Sequence, residues 1–394
     1  MNHLFSQKKT SKGNRRGVFT SAEIECQPQT WNATWTKIQE EKNALTSFLK
    51  NIIAVNDLSI VLTGAGSSAF IGDTVLSNWL TSFSKPTQTI PTTDLVTHFK
   101  ERVVIDKPLL LISFARSGNS PESTAVIELA NKLCDKVYHL IITCNPNGKL
   151  ALINEDNSYI FLLPPETEDK SLAMTNSFTS MALAATLIPM LFSSEIGAIE
   201  KQVKILSEYG EKVIAEYSES LSDVSQNEFD RIIFLGSGSL WGIAKESHLK
   251  VQELTNGKVV GKFDSFLGFR HGPKAVINDK TLLVYLLSNK KETKPYERDL
   301  VDQVVQHKID LKTLAISETT CDHQKVDFSI SLNRQNELDE AFWAILCTLP
   351  AQIIGFYKSL ALGYNPDNPS PDGTISRVVQ GVKIYNGAKS KVQR

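Results

Sequence analysis

The chain has little of what binds metals or cross-links secreted folds. Its five cysteines, Cys26, Cys134, Cys144, Cys321 and Cys347, are odd in number, widely spaced and form no C-x-x-C pair. Neither a disulfide framework nor a zinc site is supported, and the thiols are expected to be reduced. Histidines are scattered, and His307 and His323 sit in polar surroundings without ligand spacing, so no metal is expected. A net excess of one charge is missing too: the formal net charge is −1 over 394 residues, which argues against a nucleic-acid partner. Lys8, Lys9, Lys12, Arg15 and Arg16 make only a short basic start, read as a flexible tail. No stretch approaches the roughly 18 apolar residues of a membrane span and no apolar leader is present, so no membrane partner and a cytoplasmic location are expected.

What is present is core-forming material, 41% hydrophobic residues, enough for two domains of ordinary size. Trp31, Trp35, Ile38, Leu45, Leu49 and Ile52 recur at helical spacing and form one apolar stripe, read as core. From Ser59 onward short apolar runs alternate with helical segments: SIVLTGAG, PLLLISFA, HLIITC and YIFLLP. That alternation predicts an α/β fold, a parallel sheet covered on both faces. A shift of 172 positions carries Gly64 and Gly66 onto Gly236 and Gly238, PLLLISFA onto KTLLVYLL, and HLIITCN onto LKTLAIS. YIFLLP pairs with DFSISL at a slightly smaller shift. The reading is a tandem duplication of one α/β unit.

Two polar turns of the first half carry candidate chemistry. LTGAGSSAFIGD, with Ser67 and Ser68, runs from a strand through glycines into a helix and aims backbone N–H groups at an anion. A dinucleotide or a phosphorylated small molecule would fit such a turn. The segment about 20 residues beyond the glycines, SFSKPTQTIPTT, holds no acid for a ribose, so the phosphate reading leads. The second turn, SFARSGNSPES, offers Arg116, Ser117 and Ser120, with Ser120 placed as helix N-cap and Pro121 at the first helical position. At the carboxyl ends of parallel strands the two turns would supply hydroxyls and N–H groups together. The aligned second-half segment, LLSNKKETKP, lacks the serine-glycine turn.

The second half contributes KESHLKVQELTNGK, where Glu246, Lys250 and Glu253 share one helix face. A solvated, salt-bridged face is the plainer reading of that spacing. The continuation DSFLGFRHGPKAVI adds Arg270 and His271 in a Gly/Pro-bounded loop, and a glutamate with a histidine near a phosphate site is the minimum for moving protons on a sugar phosphate.

These stretches, with PTTDLVT and SRVVQGV, resemble the SIS (sugar isomerase) domain superfamily, and within it the AgaS-type galactosamine-6-phosphate deaminase/isomerases, also named tagatose-6-phosphate ketose/aldose isomerases. The resemblance covers roughly residues 31–384. It implies two tandem SIS domains, each a parallel, flavodoxin-like doubly wound sheet flanked by helices: a tail and helix over 1–55, SIS domains over 56–194 and 225–364, a linker helix over 195–224, and a tail over the active site at 365–394. By resemblance to the isomerase half of glucosamine-6-phosphate synthase, Ser68, Ser117 and Ser120 would bind phosphate. Glu253 would move the proton between sugar carbons 1 and 2, with Glu246 and Lys250 as its helix neighbours. His271 would open the ring, reaching in from the neighbouring subunit of a homodimer. Arg116 stands where that family has glutamine, which puts the phosphate contacts there in question. Arg377 in TISRVVQ falls where the family places a catalytic lysine, and arginine holds charge but forms no Schiff base. Asn176 and Ser177 in AMTNSFTSM are candidates for recognising carbon 4 of the sugar. The expected substrate is a phosphorylated amino sugar, with no cofactor. A gluco-configured substrate, a plain ketose/aldose isomerase and a sugar-phosphate-sensing module remain open beside it.

Overall fold

Glycine-flanked apolar runs and long amphipathic helices build two parallel sheets around a shared helical layer. The structure is a computed structural model and describes residues 16–192, 195–306, 311–320, 326–333, 335–379 and 381–385. Lys8, Lys9, Lys12 and Arg15 of the basic start, with His307, His323 and Cys321, lie outside them. Helices α1 (Val18–Glu25) and α2 (Gln27–Ile53) lead into the first half: β1 (Ser59–Thr63), α3 (Ser67–Phe83), β2 (Thr87–Thr89), α4 (Thr92–Arg102), β3 (Leu109–Ala115), α5 (Pro121–Leu133), β4 (Val137–Thr143), β5 (Ser158–Leu162) and α6 (Asn176–Met190). The long α7 (Ile196–Gln226) connects to β6 (Arg231–Leu235), α8 (Ser239–Leu254), β7 (Val260–Asp264), α9 (Phe266–Phe269), β8 (Thr281–Leu286), α10 (Lys294–Gln306), β9 (Lys312–Thr319), β10 (Phe328–Asn333), α11 (Glu340–Leu346) and α12 (Thr348–Ala361).

Both sheets are parallel and five-stranded, in the orders β2-β1-β3-β4-β5 and β10-β9-β8-β6-β7, which is one order written from opposite edges. Ser59 pairs with Leu109 across β1 and β3, and Arg231 pairs with Thr281 across β6 and β8, so the 172-residue offset reproduces this central register. The outer strands depart from it. Leu110 faces Tyr138 whereas Leu282 faces Lys312, so β9 lies two residues beyond the placement read from HLIITCN over LKTLAIS. The apolar runs are long enough to be slid by two without turning a face outward, because a shift of two keeps the strand's period.

One core joins the facing sides of the two sheets, including Leu62, Ile112, Phe234 and Val284, and it contains the Trp31 to Ile52 stripe of α2. Smaller cores cover the outer faces, with Val126 and Ile127 of α5 on the first and Leu300 and Val301 of α10 on the second. The run Glu340–Ala361, across α11 and α12, is long and apolar enough to cross a membrane by length and composition, a stretch the sequence reading passed over. Most of it is buried inside the protein, where it packs against α7 and α8. Its apolar character is therefore matched by the core.

Candidate active site

The site begins at the switch point of the first sheet, where β1 and β3 lie side by side and their following turns open from the same edge. After β1, Gly66 takes φ 57°, a left-handed conformation that disfavours side chains, and starts α3 without any side-chain cap. Ser67 and Ser68 therefore occupy the first turn of α3, where helix N–H groups lack intrahelical partners. After β3, Ser120 precedes α5 as its N-cap residue, yet its hydroxyl makes no capping bond. Ser67, Ser68, Ser117 and Ser120 line a cavity of about 530 Å³.

The opposite wall comes from the other half of the chain. α3 and α8 touch so closely that a Cβ on Gly242 would stand 2.4 Å from Thr74 N, and Lys245 Nζ lies 2.8 Å from Asp73 across the contact. That approach carries Lys250 and Glu253 into the same cavity wall. Lys250 Nζ donates to Glu253 Oε2 at 2.6 Å and lies 3.4 Å from Glu246 Oε1. Glu253 keeps 24% of its side chain exposed while that of Glu246 keeps none, so only Glu253 is presented to the cavity. Burial pushes Glu246 up to about 7 against the pull of Lys250. Burial acts to lower Lys250, but the two carboxylates outweigh it and raise its value, keeping the ammonium charged.

The cavity is closed by the segment 373–379, with Arg377 among its residues, and by Leu172 and Met174. Arg377 Nε donates to Asp169 O at 2.9 Å and Nη2 lies 3.3 Å from Glu168 Oε1. Its guanidinium is thus tied to the wall. Arg116 lines the cavity, and its guanidinium is bonded to backbone carbonyls: Nη1 donates to Leu172 O at 3.0 Å and Ser171 O at 3.3 Å, and Nη2 donates to Arg377 O. Burial lowers its value, partly offset by the charge of Asp169.

Two expectations are corrected. Asn176 and Ser177 are fully buried and do not line the cavity. Asn176 Nδ2 donates to Glu166 O at 2.8 Å, and Ser177 donates from both N and Oγ to Asp169, so their polarity is consumed by the fold. Glu246 stands behind Lys250 rather than on the cavity surface, since two turns of α8 separate it from Glu253 and the first of these is packed on α3. His271 is exposed in the loop after α9 and is not brought to the cavity within one chain. Sequence reasoning missed Glu23, Asp169 and Met174; the acidic run ETED, directly before the polar segment around Asn176, was the available signal for Asp169.

The corresponding turn of the second half is closed by carboxylates. Ser288 N donates to Glu297 Oε2 at 3.0 Å, Asn289 N to Glu340 Oε2 at 2.8 Å, and Ser288 Oγ to Glu340 Oε1 at 2.7 Å. Groups that could bind an anion there are already bound to the chain's own acids. Among the described residues no group of three or more His, Cys, Asp or Glu side chains is placed to hold a metal ion.

A sequence profile of the SIS domain matches residues 52–190. The D-galactosamine-6-phosphate deaminase AgaS of Escherichia coli is 40% identical over 94% of this chain and 96% of its own. The crystal structure of a tagatose-6-phosphate ketose/aldose isomerase from Escherichia coli superposes with a TM-score of 0.84 at 35% identity, over 98% of this chain and 100% of the other. That of a Clostridium novyi NT protein proposed to be such an isomerase reaches 0.92 at 42% identity, over 94% and 96%. With both halves of the cavity and nearly the whole length matched, the chain belongs to the SIS-domain family, in the branch of the AgaS deaminases and tagatose-6-phosphate ketose/aldose isomerases.

Proposed function

We propose that the chain converts galactosamine 6-phosphate and water to tagatose 6-phosphate and ammonia. The observation that carries this reading is one cavity lined both by the serine turns of the first half and by the Lys250–Glu253 pair of the second. The 6-phosphate would accept hydrogen bonds from Ser67, Ser68, Ser117 and Ser120, anchoring the sugar so that its reacting carbons lie against Glu253. His271 of a second copy would help pass the ring proton as the pyranose opens. Glu253 would take the proton from carbon 2, leaving an enolamine, and return it to carbon 1, giving the ketose imine. Water then adds to the imine carbon and ammonia leaves. Lys250 would hold the Glu253 carboxylate in place, backed by Glu246, while Arg377 secures the tail.

In this reading the protein is a hydrolase as well as an isomerase. It works in the cytoplasm as a homodimer with shared sites, and its halves descend from one duplicated unit. The relatives solved as tagatose-6-phosphate ketose/aldose isomerases favour a second reading, the same proton transfer without loss of nitrogen. Ammonia release assayed with galactosamine, glucosamine and tagatose 6-phosphates separates the two. Galactosamine 6-phosphate should release ammonia faster than its gluco epimer, and Glu253→Gln should abolish both ammonia release and solvent-deuterium incorporation at carbons 1 and 2 while phosphate binding persists. Aldose/ketose exchange without ammonia selects the plain isomerase, and exchange surviving in Glu253→Gln puts the base elsewhere.

A further inference from the structure

We propose that Arg116 is a positioning residue that latches the C-terminal tail over the cavity, acting on the reaction through the tail rather than by binding phosphate. Arg116 is 6% exposed, and its guanidinium reaches carbonyls of two distant segments, Ser171 and Leu172 on one side and Arg377 on the other. Both segments are walls of the cavity: Leu172 and Met174 belong to one, residues 373–379 to the other. Of its five N–H donors, three are engaged by these carbonyls. A single planar fork thereby ties two pieces of chain together from the cavity side, adding to the bonds from Arg377 to Asp169 O and from Leu172 N to Asp367 O that also join them.

The Ser171 side of the latch is fixed independently. Glu23 of α1 accepts from Lys170 N at 2.6 Å, from Ser171 N at 3.1 Å and from the Ser171 hydroxyl. Asp169 accepts from Thr175 N at 2.9 Å and Ser177 N at 3.0 Å, which pins the segment to the start of α6. The tail is the dependent partner. It docks through the Arg116 bond to Arg377 O, the Arg377 bonds to Asp169 O and Glu168, and the Leu172 N bond to Asp367 O at 3.0 Å just upstream. Neutral carbonyls as acceptors explain why arginine suits the position: lysine presents a point charge with no fork to span acceptors on two segments. A latched tail excludes water and completes the wall facing the sugar.

The test uses the full chain with Arg116→Met and Arg116→Lys. Limited proteolysis by subtilisin, with cleavage sites located by mass spectrometry, reads tail docking. Calorimetric titration with inorganic phosphate reads the serine turns. Arg116→Met should be cut within residues 373–379 about tenfold faster than the parent, with Arg116→Lys in between, while phosphate affinity shifts by less than about threefold. The kinetic arm rests on the proposed deamination: kcat should fall about 100-fold, because a displaced wall misplaces the reacting carbons. Unchanged cleavage in the tail, or a loss of about tenfold in phosphate affinity with the tail still protected, overturns the latch. Should Arg116→Met not fold, Arg116→Lys carries the same comparison. If the parent chain releases no ammonia from galactosamine 6-phosphate, the functional reading fails alone, and proteolysis with phosphate titration still decides the latch.

Discussion

Lys250 is a fully buried cation between two carboxylates, and its worth depends on pH through Glu246. With the Glu246 value raised to about 7, the folded chain retains a proton there that the unfolded chain has released at lower pH. This group therefore lowers stability as pH rises from the ordinary carboxylate range through about 7, and the cost is complete above that. Replacing Lys250 by methionine strips the compensating charge from a buried carboxylate. Urea unfolding at pH 8 should show a loss of about 3–5 kcal/mol, and a clearly smaller loss at pH 5, where Glu246 is protonated. Equal losses at both pH values would contradict this coupling. The i, i+4 and i, i+3 spacing was legible in the sequence, but burial was not: the same spacing fits a solvated face, and only tertiary packing, with α8 against both α3 and α12, leaves Glu246 fully buried. Asn176 and Ser177 show the reverse error, since a polar pair near the phosphate turns was read as ligand-facing when its donors serve Asp169 and Glu166.

At the scale of elements, the site depends on how closely α3 and α8 approach. A side chain at Gly242 would collide with Thr74 backbone, so Gly242→Ala must push the helices apart. The displacement moves Lys250 and Glu253 away from the first turn of α3, and an overpacked contact costs about 1–3 kcal/mol in stability. Activity should suffer far more, falling about 100-fold in kcat/KM, because misplacement by about an ångström is enough to uncouple reacting groups. A variant that unfolds more easily yet keeps parental kcat/KM would show that this contact does not set the geometry. The turns themselves were readable from glycine and serine placement. Their partner helix was not, because its apolar face says that it packs without saying against what.

The whole molecule uses two halves of one topology unequally. Ser67, Ser68, Ser117 and Ser120 open onto a cavity, whereas the turn at Ser288 and Asn289 is held by Glu297 and Glu340. Calorimetric titration with inorganic phosphate should therefore give one site per chain, and two equivalent sites would refute the closure of the second turn. The sequence by itself determined the class of fold, the central register and the identity of the polar turns, since strand period, glycine turns and helix spacing are local properties carried by neighbouring residues. Tertiary structure decided which groups meet: α8 crossing to the first half, Arg116 joining the tail to Ser171 and Leu172, and Glu340 reaching the turn at Ser288. Those contacts join residues far apart along the chain, and their geometry follows from packing two sheets on one helical layer, which no local pattern encodes.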